Sequence, residues 1–272
     1  MKNLNNKVAV ITGAGSGIGR ALAVLLAKKG CRLAISDVNM TGLQETASLC
    51  GDAEVKTYSL DVAKRDAIYA HADQVHKDFG QVNLIINNAG VALASTIRDM
   101  TDEDFEWLMD INFWGVVNGT RAFLPHLIES GDGHVVNVSS VFGLIAVPKQ
   151  SAYNAAKFAV RGFTECLRQE MQIEQLPVAV SCVHPGGVRT NIAKAARMPG
   201  ETHADKHRRD FDKIARTTPD KAAEIIVKGI LKDEARILVG ADAHVIDAMS
   251  RTMGSAYQGV VSRLTKRNLY RS

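Results

Sequence analysis

Seven short apolar runs alternate strictly with helical patterns along this chain. The runs are "KVAVIT" (7–12), "RLAISD" (32–37), "VKTYSL" (55–60), "NLIINN" (83–88), "HVVNVS" (134–139), "VAVSCV" (178–183) and "RILVG" (236–240). Most are aliphatic or β-branched on both alternate positions, as in strands buried on both faces of a parallel sheet. Between them lie helical patterns at 17–29, from Thr41, at 64–79, at 151–175 and at 219–232. Ala21, Leu22, Leu25 and Leu26 share one face of the first, and Gly30 stops it. Thr41 is the expected N-cap of the second. Thr101, with Asp104 after it, is expected to cap one long helix running past Trp107 toward Ile128. The alternation predicts an α/β fold: a doubly wound, seven-stranded parallel sheet with helices on both faces.

No linker interrupts the pattern, so 1–272 is expected to form a single domain. Two stretches depart from regularity. Residues 188–218 are polar and carry His203, Lys206, His207, Arg208 and Arg209, which suggests a substrate lid after a strand end. His203 and His207 stand at i, i+4 but lack a third ligand in the motif, so no metal is expected. In the extension 241–272, Val245, Met249, Met253, Tyr257, Val260 and Leu264 recur near helical spacing, with Gly254 and Gly259 weakening the helix. Core packing or a subunit contact is its ordinary reading; covering the substrate mouth or touching a membrane are the alternatives.

Net charge is +4, from 33 basic and 29 acidic residues. The excess belongs to the tail, where Arg251, Arg263, Lys266, Arg267 and Arg271 stand with no Asp or Glu. A solvated helix end accounts for that, and no nucleic-acid partner is expected. No apolar run is long enough to span a bilayer. A strand starting at Lys7 leaves no room for a secretory signal. Cys31, Cys50, Cys166 and Cys182 have no Cys-x-x-Cys spacing and are expected to be reduced, mostly buried thiols of a cytoplasmic protein.

"TGAGSGIG" (12–19) sits where the first strand hands over to the first helix, a place that attracts phosphate. It is not a P-loop, which would need glycine and lysine where Ile18 and Gly19 stand. It is not Gly-x-Gly-x-x-Gly either, because Ile18 and Arg20 are not glycine. What remains is Thr-Gly-x-x-x-Gly-x-Gly. Asp37, ending the second strand, can accept the ribose hydroxyls of an adenosine and repel a 2′-phosphate. Neither Ser16 nor Val38 offers a cation to bind one. In "YNAAK", Tyr153 and Lys157 share a helix face at i and i+4. An ammonium there favours the phenolate and brings a phenol closer to neutral pH.

With "NNAG" (87–90), "NVSS" (137–140), "SAYNAAK" (151–157) and "HPGGVRT" (184–190), the chain resembles the short-chain dehydrogenase/reductase family over about residues 7–240. Ser16 separates it from the extended branch and the "YNAAK" spacing from the enoyl-reductase branch, which leaves the shorter single-domain dehydrogenases. The resemblance implies a Rossmann-like fold and a catalytic set of Asn112, Ser140, Tyr153 and Lys157. Tyr153 would be the general acid/base, Ser140 would bond the substrate oxygen, Lys157 would tune Tyr153 and hold a ribose, and Asn112 would support a proton-relay water. Ser139 is the less suitable serine by spacing. The resemblance also implies NAD, with NADP the weaker alternative. Thr12, Gly13, Gly15, Ser16, Gly17, Ile18 and Gly19 would line its pyrophosphate. Asp37 and Val38 would meet the adenosine ribose, and Asp61 and Val62 the adenine. Asn88, Ala89 and Gly90 would prop its edge, and Pro185, Gly186, Val188 and Thr190 the nicotinamide end.

Apolar "VALA" (91–94) and "VFGLIAVP" (141–148), with Phe142 beside the substrate, favour a hydrophobic secondary alcohol or its ketone. A carrier-bound 3-oxoacyl group, or nucleotide sensing without catalysis on the same fold, are the alternatives. His184 is expected to be structural. Trp107, Phe113 and Trp114 are expected in core or subunit contacts, and the resemblance implies a homotetramer or homodimer built through the two long helices.

Overall fold

The computed structural model describes residues 1–192, 195–198 and 215–269. Seven parallel strands form one sheet in the order β3-β2-β1-β4-β5-β6-β7. They are β1 (Val8–Thr12), β2 (Arg32–Asp37), β3 (Val55–Ser59), β4 (Leu84–Asn87), β5 (Gly133–Val138), β6 (Val178–Pro185) and β7 (Arg236–Val239). The helices are α1 (Gly17–Lys28), α2 (Met40–Leu49), α3 (Arg65–Phe79), α4 (Asp102–Met109), α5 (Gly115–Glu129), α6 (Ser151–Ile173), α7 (Pro219–Leu231), α8 (Ala241–Met253) and α9 (Tyr257–Leu269).

All five residues of β1 are buried, and their alternation divides the core. Ala9 and Ile11 face a layer with Leu22 and Leu26 of α1 and Ile226 and Ile230 of α7. Val8 and Val10 face the opposite layer, with Ile68 of α3, Phe123 of α5 and Leu167 of α6. Burying each such side chain contributes about 1.5–3 kcal/mol, and two apolar faces explain why the strands lack a polar side. The topology reverses between β1, paired to β2 on one side, and β4 on the other. Ligands bind in the crevice opened at such a switch, beyond the strands' C-terminal ends.

The structure corrects two sequence expectations. The N-cap of α2 is Asn39, whose Oδ1 accepts from Gly42 N at 3.1 Å; Thr41 lies inside the helix. Asn caps a helix better than Thr, and the turn after Asp37 delivers Asn39 first. Thr101 does cap α4, accepting from Asp104 N. The long helix it starts is not continuous, because a π turn over Asp110–Trp114 separates α4 from α5. Asn112 sits in that turn and bonds Val91 through both ends of its amide, which fixes the widened winding.

The extension is helical and packs on the domain through buried Ala243 and through Asp247, which pairs with Arg236 at 2.8 Å. It bends at Gly254, where φ is +52°, into a short 3-10 turn before α9. Val245, Val260 and Leu264 remain exposed. Among the described residues no helix is long and apolar enough to cross a membrane. Most of the proposed lid, with His203 and His207, lies outside the described residues, as do Arg271 and the side chain of Arg267. Cys31, Cys50 and Cys182 are buried and Cys166 is exposed, all as free thiols.

Candidate active site

The glycine turn is held open from behind. Thr12 Oγ1 accepts from Asn88 N and Ala89 N, both at 3.1 Å, and Asn88 Nδ2 donates to Thr12 O and Gly13 O. Gly13 has φ +67°, and a Cβ there would lie 2.7 Å from Ala89 Cα. A Cβ on Gly19 would strike the Gly13 carbonyl. Thr12, Gly15, Gly19 and Asn112 therefore act as supports behind the wall, whereas Gly13, Ser16, Gly17 and Ile18 face a cleft of about 530 Å³. Ser16 is the N-cap of α1, yet its side chain makes no cap bond and the first turn holds no acid. The free N–H groups of that turn suit a bound anion.

At one end of the cleft, Asp37 Oδ2 accepts from Gly15 N at 2.8 Å and Oδ1 from Asn39 N at 2.9 Å. Val38, Asp61 and Val62 line the same end. Arg20, which sequence reading passed over, is a neighbouring cation committed elsewhere. Its guanidinium donates to Gly15 O and Gly42 O and pairs with Glu45 at 2.8 Å. Thr46 adds a bond to Ala14 O, so α1 and α2 clamp the turn together. An arginine and a threonine on separate helices carried no local signal for this.

At the other end, α6 presents Tyr153 beside Ser140, which ends the segment after β5. Both side chains line the cleft there, and Ser140 acts on the Tyr153 hydroxyl to favour its ionised form. Ser140 Oγ also accepts from Phe142 N at 3.1 Å, and the Phe142 ring meets Tyr153 edge-on at 6.2 Å. Ser139 is not available, since its Oγ donates to Lys157 O at 2.8 Å beneath the cleft. Lys157 Nζ donates to Val138 O at 2.9 Å and lies 5.6 Å from the Tyr153 ring centre. Burial pulls Lys157 down to about 8. The spacing of Tyr153 and Lys157 predicts a lowered phenol. Burial instead pushes Tyr153 up, against Ser140, which pulls it down.

Asn88, Ala89 and Gly90 line the middle of the cleft, and Pro185, Gly186, Val188 and Thr190 line the far wall. Asp242, at the start of α8, pins that wall by accepting from Gly187 N at 2.6 Å. Most of the remaining surface is apolar, with Val91, Ala94, Val141, Phe142 and Ile246, beside Gln150 and Asn191. Ile246 and Asp242 bring the extension into the site, and Tyr257 Oη accepts from Ala146 N at 2.9 Å across the segment after Ser140. His184 is structural, as expected. Its Nδ1–H donates to Ser140 O at 2.9 Å, and burial holds it down at about 4, hence neutral. Trp107 is half-buried under Arg197, Phe113 packs against a small core cluster, and Trp114 is exposed.

A crevice at the sheet's switch point, with a glycine turn and an aspartate at one end and a tyrosine, serine and lysine at its apolar end, defines a nucleotide-dependent oxidoreductase class. The chain belongs to the short-chain dehydrogenase family, whose model matches residues 7–199. It is 53% identical over 265 residues to the putative oxidoreductase SadH of Mycobacterium tuberculosis, covering 96% of both chains. It is 30% identical to human estradiol 17-beta-dehydrogenase 11, covering 96% of this chain and 84% of that one. Among solved structures, a short-chain dehydrogenase/reductase from Burkholderia phymatum in complex with NAD superposes with a TM-score of 0.87 at 29% identity, covering 94% of this chain and 97% of that one.

Proposed function

We propose that this protein interconverts a hydrophobic secondary alcohol and its ketone with NAD as cofactor. The observation that carries this reading is that Ser140, Tyr153 and Lys157 line the apolar end of a cleft whose other end is the Asp37 carboxylate. The uncapped start of α1 would receive the pyrophosphate, and Asp37 would receive the adenosine ribose and repel a 2′-phosphate. The NAD-bound relative from Burkholderia phymatum supports the same cofactor.

When bound, the nicotinamide supplies hydride chemistry and, oxidised, a positive charge. Tyr153 removes the carbinol proton in oxidation and returns it in reduction. Ser140 donates to the same oxygen, where charge changes most. Lys157, anchored on Val138 O, keeps its nitrogen 5.6 Å from the Tyr153 ring centre and would hold the cofactor ribose. A positive charge there works against the burial that holds the Tyr153 proton. Asn112 fixes Val91 and with it the floor of the site, and its turn supports the proton-relay water. Val91, Val141, Phe142 and Ile246 exclude water and select an apolar substrate. The estradiol dehydrogenase among its relatives is consistent with that class. Exposed Trp114 and Phe158, beside α5 and on α6, support assembly of copies through these helices.

The test is Tyr153→Phe, assayed for cofactor binding and for turnover across alcohols and ketones of graded size. Turnover should fall by about 10²–10⁴-fold while NAD affinity is retained. Retained turnover would remove Tyr153 from the chemistry.

A further inference from the structure

Away from the cleft, the C-terminal ends of α3 and α5 bring His76, His126 and Glu129 together. One ligand atom from each lies within 4.8 Å of the others. Among the described residues this is the one group of three such side chains. The two imidazoles stack with centres 4.4 Å apart and planes 18° apart. Glu129 follows His126 at i, i+3 on the same helix, with its Oε2 4.0 Å from His126 Nδ1. His76 Nδ1 is buried and has no hydrogen-bond partner. Stacked imidazoles gain little from each other, and an orphaned buried nitrogen costs free energy unless something accepts its lone pair or proton.

We propose that His76, His126 and Glu129 bind a divalent transition-metal ion of the zinc class, tying α3 to α5. Two imidazole nitrogens and one carboxylate oxygen are the donors such an ion takes, with a water completing a tetrahedron. Hard ions such as Mg²⁺ prefer an all-oxygen shell, which this group does not provide. The placement adds to the attraction. His76 and His126 lie in the last turns of their helices, where the macrodipole favours positive charge. Asp73, one turn before His76, acts electrostatically on His126 and adds a second carboxylate nearby. Because α3 and α5 run back against the parallel strands, their C-terminal ends lie at the sheet edge opposite the cleft. The ion is therefore structural and takes no part in hydride transfer.

The experiment uses the full chain without a histidine tag, stripped with EDTA and dialysed. Zn²⁺ is titrated by calorimetry, and Co²⁺ by the visible absorption that tetrahedral coordination gives. One equivalent should bind, raise the thermal midpoint and produce the Co²⁺ bands, whereas Mg²⁺ should do none of these. His76→Gln and His126→Gln should each abolish the bands, and the exposed substitution Glu129→Gln should weaken binding at least about tenfold. Basal turnover should be unchanged in all three variants. Absence of saturable Zn²⁺ binding to the wild type overturns the proposal. So does binding of equal strength in Glu129→Gln and in a folded histidine variant, which would place the metal elsewhere.

Discussion

Asp37 does two things with one carboxylate. In the proposed reading it repels a 2′-phosphate, and each of its oxygens accepts a backbone N–H, from Gly15 and from Asn39. Asp37→Ala should lower the ratio of kcat/KM for NAD over NADP by about tenfold or more, about 1.4 kcal/mol. It should also raise both KM values, because the glycine turn loses a tie. Steady-state kinetics with both cofactors measures this, and a wild type that already prefers NADP would refute the ribose argument. At this scale the sequence was legible in residue type. Gly13, Asp37, Ser140, Tyr153 and Lys157 all reach one cleft. The Tyr153 and Lys157 pKa directions were not legible, because burial by distant segments sets them and helical spacing carries no information on burial. The roles of Thr12, Arg20 and Thr46 were obscure for a related reason: each acts on main-chain atoms that only the fold brings close.

Element boundaries follow local chemistry closely where a stop signal is strong, as at Gly80 after α3, where φ is +76°. They fail where a tertiary contact decides. The π turn at Asp110–Trp114 exists because Asn112 must reach Val91, and nothing in the periodicity of 101–128 marks it. The extension was legible as helical but not in its placement. It lines the site with Asp242 and Ile246, and Tyr257 holds Ala146 in the segment after Ser140. Tyr257→Phe removes the acceptor for Ala146 N, an interaction of about 0.5–1.5 kcal/mol. The expected result is a KM for the alcohol raised about two- to tenfold with an unchanged KM for NAD. An unchanged alcohol KM across a size series would show that α9 has no hold on the segment after Ser140.

For the whole molecule, the core carries a pH dependence. His71, His134 and His184 are buried on or against the sheet, and burial pulls each down to about 4. His134 is held by Ser181, with 2.9 Å between Nε2 and Oγ. Between pH 6.5 and 4 the unfolded chain binds protons that the native chain refuses, so stability falls as pH drops through that window. Above pH 6.5 these residues are neutral in both states and contribute nothing. Unfolding should take up about three protons near pH 5 from this source. His134→Gln, which keeps a hydrogen-bonding group toward Ser181, should remove about one of them. Chemical denaturation as a function of pH reads the slope, and an equal slope in both proteins would exonerate His134. Lys157, another cation held neutral by burial, obeys the same rule in a higher pH window. Held down at about 8 when folded, it makes the native chain more stable as pH rises from 8 toward 10.5.

The tie from Thr12 to Asn88 and Ala89 crosses from β1 to β4, the two strands between which the sheet reverses. Main-chain amides and a threonine hydroxyl make it, with no contribution from any ligand. The two lips of the crevice are thus set at a fixed gauge before anything enters. Capture of the cofactor should be a collision rather than a rearrangement, with an observed rate that climbs in proportion to concentration and does not level off. Any slow step in the catalytic cycle then belongs to the segments around the substrate, where the walls are joined by single bonds such as that between Ala146 and Tyr257.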